Sequence, residues 1–177
     1  DKRSGKIVWK RDEGIYGTTL AVSDSHGVVV MSYQNTAFKL DSEIGGRLTA
    51  FSADSGEILW DQKAKDQSRL TLMDRTVVAD GGAWDLVSGE PRAWNFERSY
   101  GCGVLTAGKE MLFFRSATLG YFDVKENDKV QNFGGVRPGC WINAIPAGGL
   151  VLVPDASAGC SCSYLNRSWF ALEPTGE

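Results

Sequence analysis

The stretch RLTAFSADSGEILW, Arg47 to Trp60, reads as strand, tight turn and strand, and it closes on a large aromatic. Leu48, Ala50 and Ser52 alternate with Thr49, Phe51 and Ala53, which is the period-2 pattern of a strand. Ser55-Gly56 supplies the turn, because glycine accepts backbone angles that a side chain forbids. Ile58, Leu59 and Trp60 form the second strand. The unit recurs. SGKIVW at Ser4 to Trp9 matches SGEILW at Ser55 to Trp60. AWDLVSGEPRAW turns at Ser88-Gly89 and closes on Trp94. YFDVKENDKVQNF turns at Asn127-Asp128, with Phe133 in place of the tryptophan, and FALEPTGE begins a fifth copy at Phe170.

Turn positions 5, 56, 89, 128 and 176 recur at intervals averaging about 43 residues, the length of a four-stranded propeller blade. Each interval fills with short β-type runs bounded by Gly, Asp, Asn, Ser or Pro, and none carries a sustained helical period. The expected fold is all-β: a single β-propeller domain or fragment of about four blades of four antiparallel strands. Blades are expected at about 17–62, 68–97, 102–134 and 140–177, after a blade-closing strand at 4–10.

The pattern resembles the repeat of the pyrroloquinoline-quinone-like β-propeller family, loosely L-x-A-x-D-x-x-T/S-G-x-x-x-W. Leu48, Ala50, Ser55, Gly56 and Trp60 match it, with Ser52 where the family prefers Asp. Trp84, Asp85, Ser88, Gly89 and Trp94 give a looser second match. The resemblance implies fold more than chemistry, since one scaffold hosts many functions. Four blades are few for this family. The expectation is therefore a piece of a larger propeller, completed by further blades of a longer chain. Closure by the first strand, or a ring of two copies, are the alternatives.

The net charge of −3 comes from 19 basic and 22 acidic residues, and the one basic cluster, Lys63 to Arg69, reads as a solvated loop. That balance excludes a nucleic-acid or anionic-membrane surface as the expected partner. The longest apolar run is far below the roughly twenty residues that span a bilayer. No Ser-His-Asp arrangement, phosphate loop or metal-binding histidine pair occurs, and the one histidine, His26, sits in a hairpin between the first two strands.

The four cysteines, Cys102, Cys140, Cys160 and Cys162, all lie in the second half. An even count in a β-rich scaffold points to disulfides and an oxidising compartment, hence an exported protein, periplasmic or extracellular. Cys102 and Cys140 precede inner strands, and Cys160 and Cys162 lie between the second and third strands of the last blade. Propeller topology puts those loops on one face. Three pairings are open. Cys102–Cys140 would leave a strained Cys160–Cys162 bridge; the crossed pairings, which would hold down the long Ala/Ser/Gly loop, are preferred. A redox-active Cys-x-Cys and a thiolate metal site are the sharper readings.

Arg137, Trp141, Asn143 and Asp155 could line the same face and offer cation, ring, amide and carboxylate. Their plainer roles are loop contacts, blade packing and a turn cap. The expected function is a non-catalytic ligand- or protein-binding module, with a protein partner or small ligand on the cysteine face and no cofactor. The alternative is the propeller portion of a quinone- or metal-dependent oxidoreductase. The resemblance would then imply pyrroloquinoline quinone over calcium, although the adjacent cysteine pair of those enzymes is missing.

Overall fold

The computed structural model describes residues 1, 3–17, 19–33, 40–41, 45–64, 69–79, 81–140, 142–156, 162–164 and 166–175. The described residues form fourteen strands in four antiparallel sheets, with no helix among them. They contain no helix long and apolar enough to cross a membrane. The chain divides into two compact units, residues 1–93 and 94–177.

The first unit holds two sheets. Strands β1 (Thr19–Ser23), β2 (Val28–Ser32), β3 (Arg47–Ser52) and β4 (Ile58–Lys63) form a four-stranded meander. Strands β5 (Thr71–Met73), β6 (Thr76–Ala79) and β7 (Gly82–Asp85) form the second sheet. Val28, Val30, Leu48 and Ala50 of the first sheet and Val77, Ala79 and Trp84 of the second share one buried core with Trp60 and Leu86. The expected fourth strand of the second sheet is reduced to one bridge, Trp84 to Pro91. Two ladder bonds flank that bridge, Asp85 N to the Glu90 carbonyl and Arg92 N to the Ala83 carbonyl, each at 2.8 Å, so Pro91 stands at a pair position that needs no N–H.

The repeated tryptophan acts as a lock between consecutive turns. Trp60 donates its indole N–H to the Leu86 carbonyl at 2.9 Å, and a Cβ on Gly89 would lie 2.6 Å from the ring. Trp9 repeats this: its indole donates to the Ala53 carbonyl at 2.7 Å, and a Cβ on Gly56 would lie 2.6 Å from its ring. Both glycines have positive φ, 73° and 74°, so glycine meets a conformational and a steric demand at once. The expected closing strand at 4–10 is different: residues 5–12 carry no ladder, although Trp9 packs as its sequence suggests. A turn signal and a tryptophan specify turn and packing; a ladder also needs a neighbouring strand.

The turns share one hydrogen-bond pattern. The Asp85 carboxylate accepts from Val87 N and Ser88 N, and Gly89 N donates to the Asp85 carbonyl. Asp123 does the same for Lys125 N and Glu126 N, with Asn127 N closing onto its carbonyl. Asn127, with φ of 48°, therefore holds the glycine position expected at Asp128. The other Asp85 oxygen accepts from Arg75 and Arg92, each at 2.9 Å. Burial pushes the Asp85 carboxyl up, but bonds from Ser88 N, Arg92, Arg75 and Val87 N outweigh it and hold it far below the usual carboxylate range. A depressed pKa in the folded state adds stability above the unfolded value, about 3.9, and loses it as pH falls towards the folded one. Urea denaturation of wild type and Asp85→Asn should show the variant less stable at pH 7. The gap should narrow below about pH 4. A constant gap would mean that the charge on Asp85 contributes nothing.

The second unit also holds two sheets. Strands β8 (Thr106–Ala107), β9 (Met111–Ser116), β10 (Thr118–Asp123) and β11 (Gln131–Phe133) form one, and β12 (Ile145–Ala147), β13 (Leu150–Val153) and β14 (Phe170–Leu172) the other. Leu119, Val136, Ala144 and Val153 are buried together between Phe113, Val151, Phe170 and Leu172. Phe114 and Phe122 point the opposite way and pack edge-on with Phe96, while Trp94 meets Phe122 at 5.1 Å. The alternation of strand residues separates these two cores.

Candidate functional site

The site lies in the second unit, around an arginine that the sequence reading passed over. Arg115 stands near the end of β9, in the run MLFFRS, and is only 1% exposed. Its guanidinium lies 5.4 Å from the centre of the Tyr100 ring and donates to Cys140 Sγ at 3.3 Å. It also lines one cleft with Cys162. Burial alone would lower the Arg115 pKa, but these sulfur neighbours hold it raised.

Local structure explains the gathering. Residues 99–101 run beside the end of β9: Ser99 N donates to Ser116 Oγ at 3.2 Å, and Ala117 N donates to the Tyr100 carbonyl at 2.6 Å. A Cβ on Gly101 would lie 2.2 Å from the Arg115 carbonyl, so only glycine permits this approach. Tyr100 and Cys102 thus arrive ahead of β8, Cys140 ahead of β12, and Cys162 between β13 and β14. Tyr100, Arg115, Ala117, Cys162, Ser163 and Tyr164 line a cleft of about 310 Å³. Ala117 and Tyr164 have positive φ, 61° and 57°, a cost that non-glycine residues carry only where their surroundings enforce it.

Cys162 is the titrating centre of the cleft. The bond from Arg115 comes first in lowering its pKa, the Tyr100 hydroxyl second; burial opposes them, and the charges of Arg115 and Arg137 add to the lowering. The hydroxyl lies 3.9 Å from Cys162 Sγ, and the same contact raises the Tyr100 pKa.

Cys102, Cys140 and Cys162 are joined by no disulfide. The expected staple is absent among the described cysteines, and the Arg115 guanidinium donates to Cys140 Sγ. Cys160 and Trp141 lie outside the described residues. Arg137 is wholly buried and donates to the Ala156 carbonyl at 2.6 Å. Asn143 is wholly buried, and its amide crowds Gly103, where a Cβ would lie 1.9 Å from Nδ2. Asp155 is exposed, unlike buried Arg137 and Asn143. Arg137 Nε and Nη1, Arg115 Nε and both polar atoms of the Asn143 side chain are buried without a hydrogen-bond partner among the described residues. The one sequence signal for Arg115 is a charge inside an apolar strand, a placement that costs several kcal/mol unless paired.

No protein-family model and no curated protein matches the chain. Solved structures do. The computationally designed protein Ika4 aligns with a TM-score of 0.61 at 16% identity, over 91% of this chain and 94% of that one. The designed protein Ika8 aligns with a TM-score of 0.52 at 16% identity, over 81% and 45%. The WD40 domain of Neurospora crassa Pan2 aligns with a TM-score of 0.53 at 13% identity, over 85% and 51%. WD40 domains are β-propellers built of four-stranded sheets. At these identities the likeness concerns the fold.

Proposed function

We propose that the chain is a β-propeller binding module of an exported protein, with its four sheets as blades. Its cleft at Arg115 takes up an anionic group carried by a protein partner or a small ligand, without catalysis. One observation carries this reading. Arg115 and Arg137 are 1% and 0% exposed, yet each keeps guanidinium nitrogen without a partner among the described residues. Each buried donor left unmade costs about 1–3 kcal/mol, more when charged, and an accepting oxyanion would recover part of that. The rings of Tyr100 and Tyr164 give the cleft flat walls on which an apolar body can rest. The propeller neighbours support the scaffold and leave the ligand open.

A quinone-and-calcium site fits these residues poorly. Calcium takes six to eight oxygen ligands, and the cluster here presents guanidinium and sulfur. Asp155, its one carboxylate candidate, is exposed. Among the described residues no group of three or more His, Cys, Asp or Glu is set to hold a metal. The alternative oxidoreductase reading would need its calcium ligands from elsewhere.

Titration of the reduced, ¹⁵N-labelled chain with benzoate tests the reading. Saturable shifts are expected at the Arg115 Nε–H and at the amides of Tyr100, Cys162 and Tyr164, with no response to benzamide. Unchanged spectra, or equal response to both compounds, would remove the anion from the proposal.

A further inference from the structure

We infer that Cys162 is a site of thiol–disulfide exchange, at which the protein takes up one half of a low-molecular-weight disulfide. Three features of the geometry converge. Cys162 is half-buried and lines the open cleft, so a small molecule can reach it. The Tyr100 hydroxyl is aimed at its Sγ from 3.9 Å, as the donor that a thiolate would use. Arg115 lines the same cleft as Cys162 and Tyr100, and at 1% exposure, with its Nε unpartnered among the described residues, it cannot turn away to water. A thiolate between a fixed cation and a hydroxyl donor is an arrangement that makes a cysteine reactive. The lowered Cys162 pKa, set by Arg115 and Tyr100 with Arg137 behind them, agrees with it.

In the exchange, Cys162 Sγ⁻ attacks one sulfur of an incoming disulfide R–S–S–R. The Sγ–S bond forms as the S–S bond breaks, and the electron pair leaves on R–S⁻, which takes a proton from water. Cys162 is oxidised and the released thiol is reduced, so no further oxidant is needed. The cleft is the one assigned to ligand binding, but exchange does not require an anionic ligand. A neutral disulfide therefore tests this inference separately from the benzoate titration.

The probe is 4,4′-dithiodipyridine, added to the fully reduced chain at pH 7, with labelled cysteines mapped by peptide mass spectrometry over time. Cys102 is the internal reference, because it is more exposed and accessibility alone would favour it. Cys162 is expected to react at least about tenfold faster than Cys102. Tyr100 is 67% exposed, so Tyr100→Phe should fold, and it should slow Cys162 several-fold by removing the hydroxyl. The fast phase should survive Cys160→Ser and vanish in Cys162→Ser. A Cys162 rate at or below that of Cys102 overturns the inference. So does a Tyr100→Phe rate equal to wild type, or a fast phase that survives Cys162→Ser.

Discussion

Trp60→Ala is expected to destabilise residues 1–93 by about 3–5 kcal/mol, the range for emptying a buried tryptophan site. Trp60 is 6% exposed and belongs to the core that holds Val28, Leu48, Val77 and Leu86. Its loss removes the ring that covers Gly89 and the N–H that satisfies the Leu86 carbonyl. Trp60→Phe separates the two contributions. The smaller ring keeps much of the packing, and the unpaired carbonyl should cost about 1–2 kcal/mol. Trp9→Ala removes the equivalent contacts at Gly56 from a half-buried site and should cost less than Trp60→Ala. Urea denaturation gives the magnitudes, and amide hydrogen exchange at Val77, Val78 and Leu86 locates them. A loss below about 1 kcal/mol for Trp60→Ala would mean that the core collapses into the space, and that the tryptophan does not lock the two turns.

This lock was legible in sequence because one pattern states it several times. Ser-Gly followed by a tryptophan demands a positive-φ turn and then an aromatic, and the alternation in RLTAFS fixes which strand residues face inward. Where the copy decays, so does the geometry. The third tryptophan, Trp94, packs against Phe96 and Phe122, and its indole N–H is buried without a partner among the described residues. Asn95 instead pairs with Asn127, donating from its backbone N to Asn127 Oδ1 at 3.0 Å and from its side-chain amide to the Asn127 carbonyl at 2.8 Å. Pro91, by contrast, sits where its missing N–H faces away from β7, and the ladder bonds on either side of it are made.

The site was legible only in part. The repeat places Cys102 and Cys140 ahead of inner strands and Cys162 between the second and third strands of the last sheet, and they stand there. What surrounds them was not readable. Arg115 sits in a strand whose period gives the side it faces, but a single charge among MLFFRS cannot say whether it reaches solvent or is buried among sulfurs. Arg137 reads from sequence as a loop residue contacting carbonyl groups, and it donates to the Ala156 carbonyl. Asp155 was grouped with it from position alone. A residue two places beyond the end of β13 can still turn its side chain to water, which no spacing rule detects.

Gly103→Ala is expected to destabilise residues 94–177 by about 2–5 kcal/mol, combining left-handed backbone strain with overpacking. The residue has φ of 89°, and an added Cβ would lie 1.9 Å from Asn143 Nδ2 and 2.6 Å from the Cys140 carbonyl. Asn143 is 0% exposed and has no room to retreat, and a backbone carbonyl yields less readily than a side chain. Gly135→Ala supplies the control, because Gly135 has φ of 78° but nothing within 4 Å of the added Cβ. It should therefore show the backbone strain alone, about 1–2 kcal/mol. The difference between the variants in urea denaturation isolates the contact with Asn143 and Cys140. The same substitution should reach the cleft. Arg98 donates to the Gly103 carbonyl at 3.3 Å, and the segment between them carries Tyr100 and Cys102 to Arg115. A shift of Gly103 should thus weaken the Tyr100–Cys162 contact and slow disulfide exchange at Cys162 under conditions where the variant is still folded. Equal losses for Gly103→Ala and Gly135→Ala would show that the 99–103 segment gives way freely. Its close fit would then not be what holds Tyr100 over the cysteine cluster.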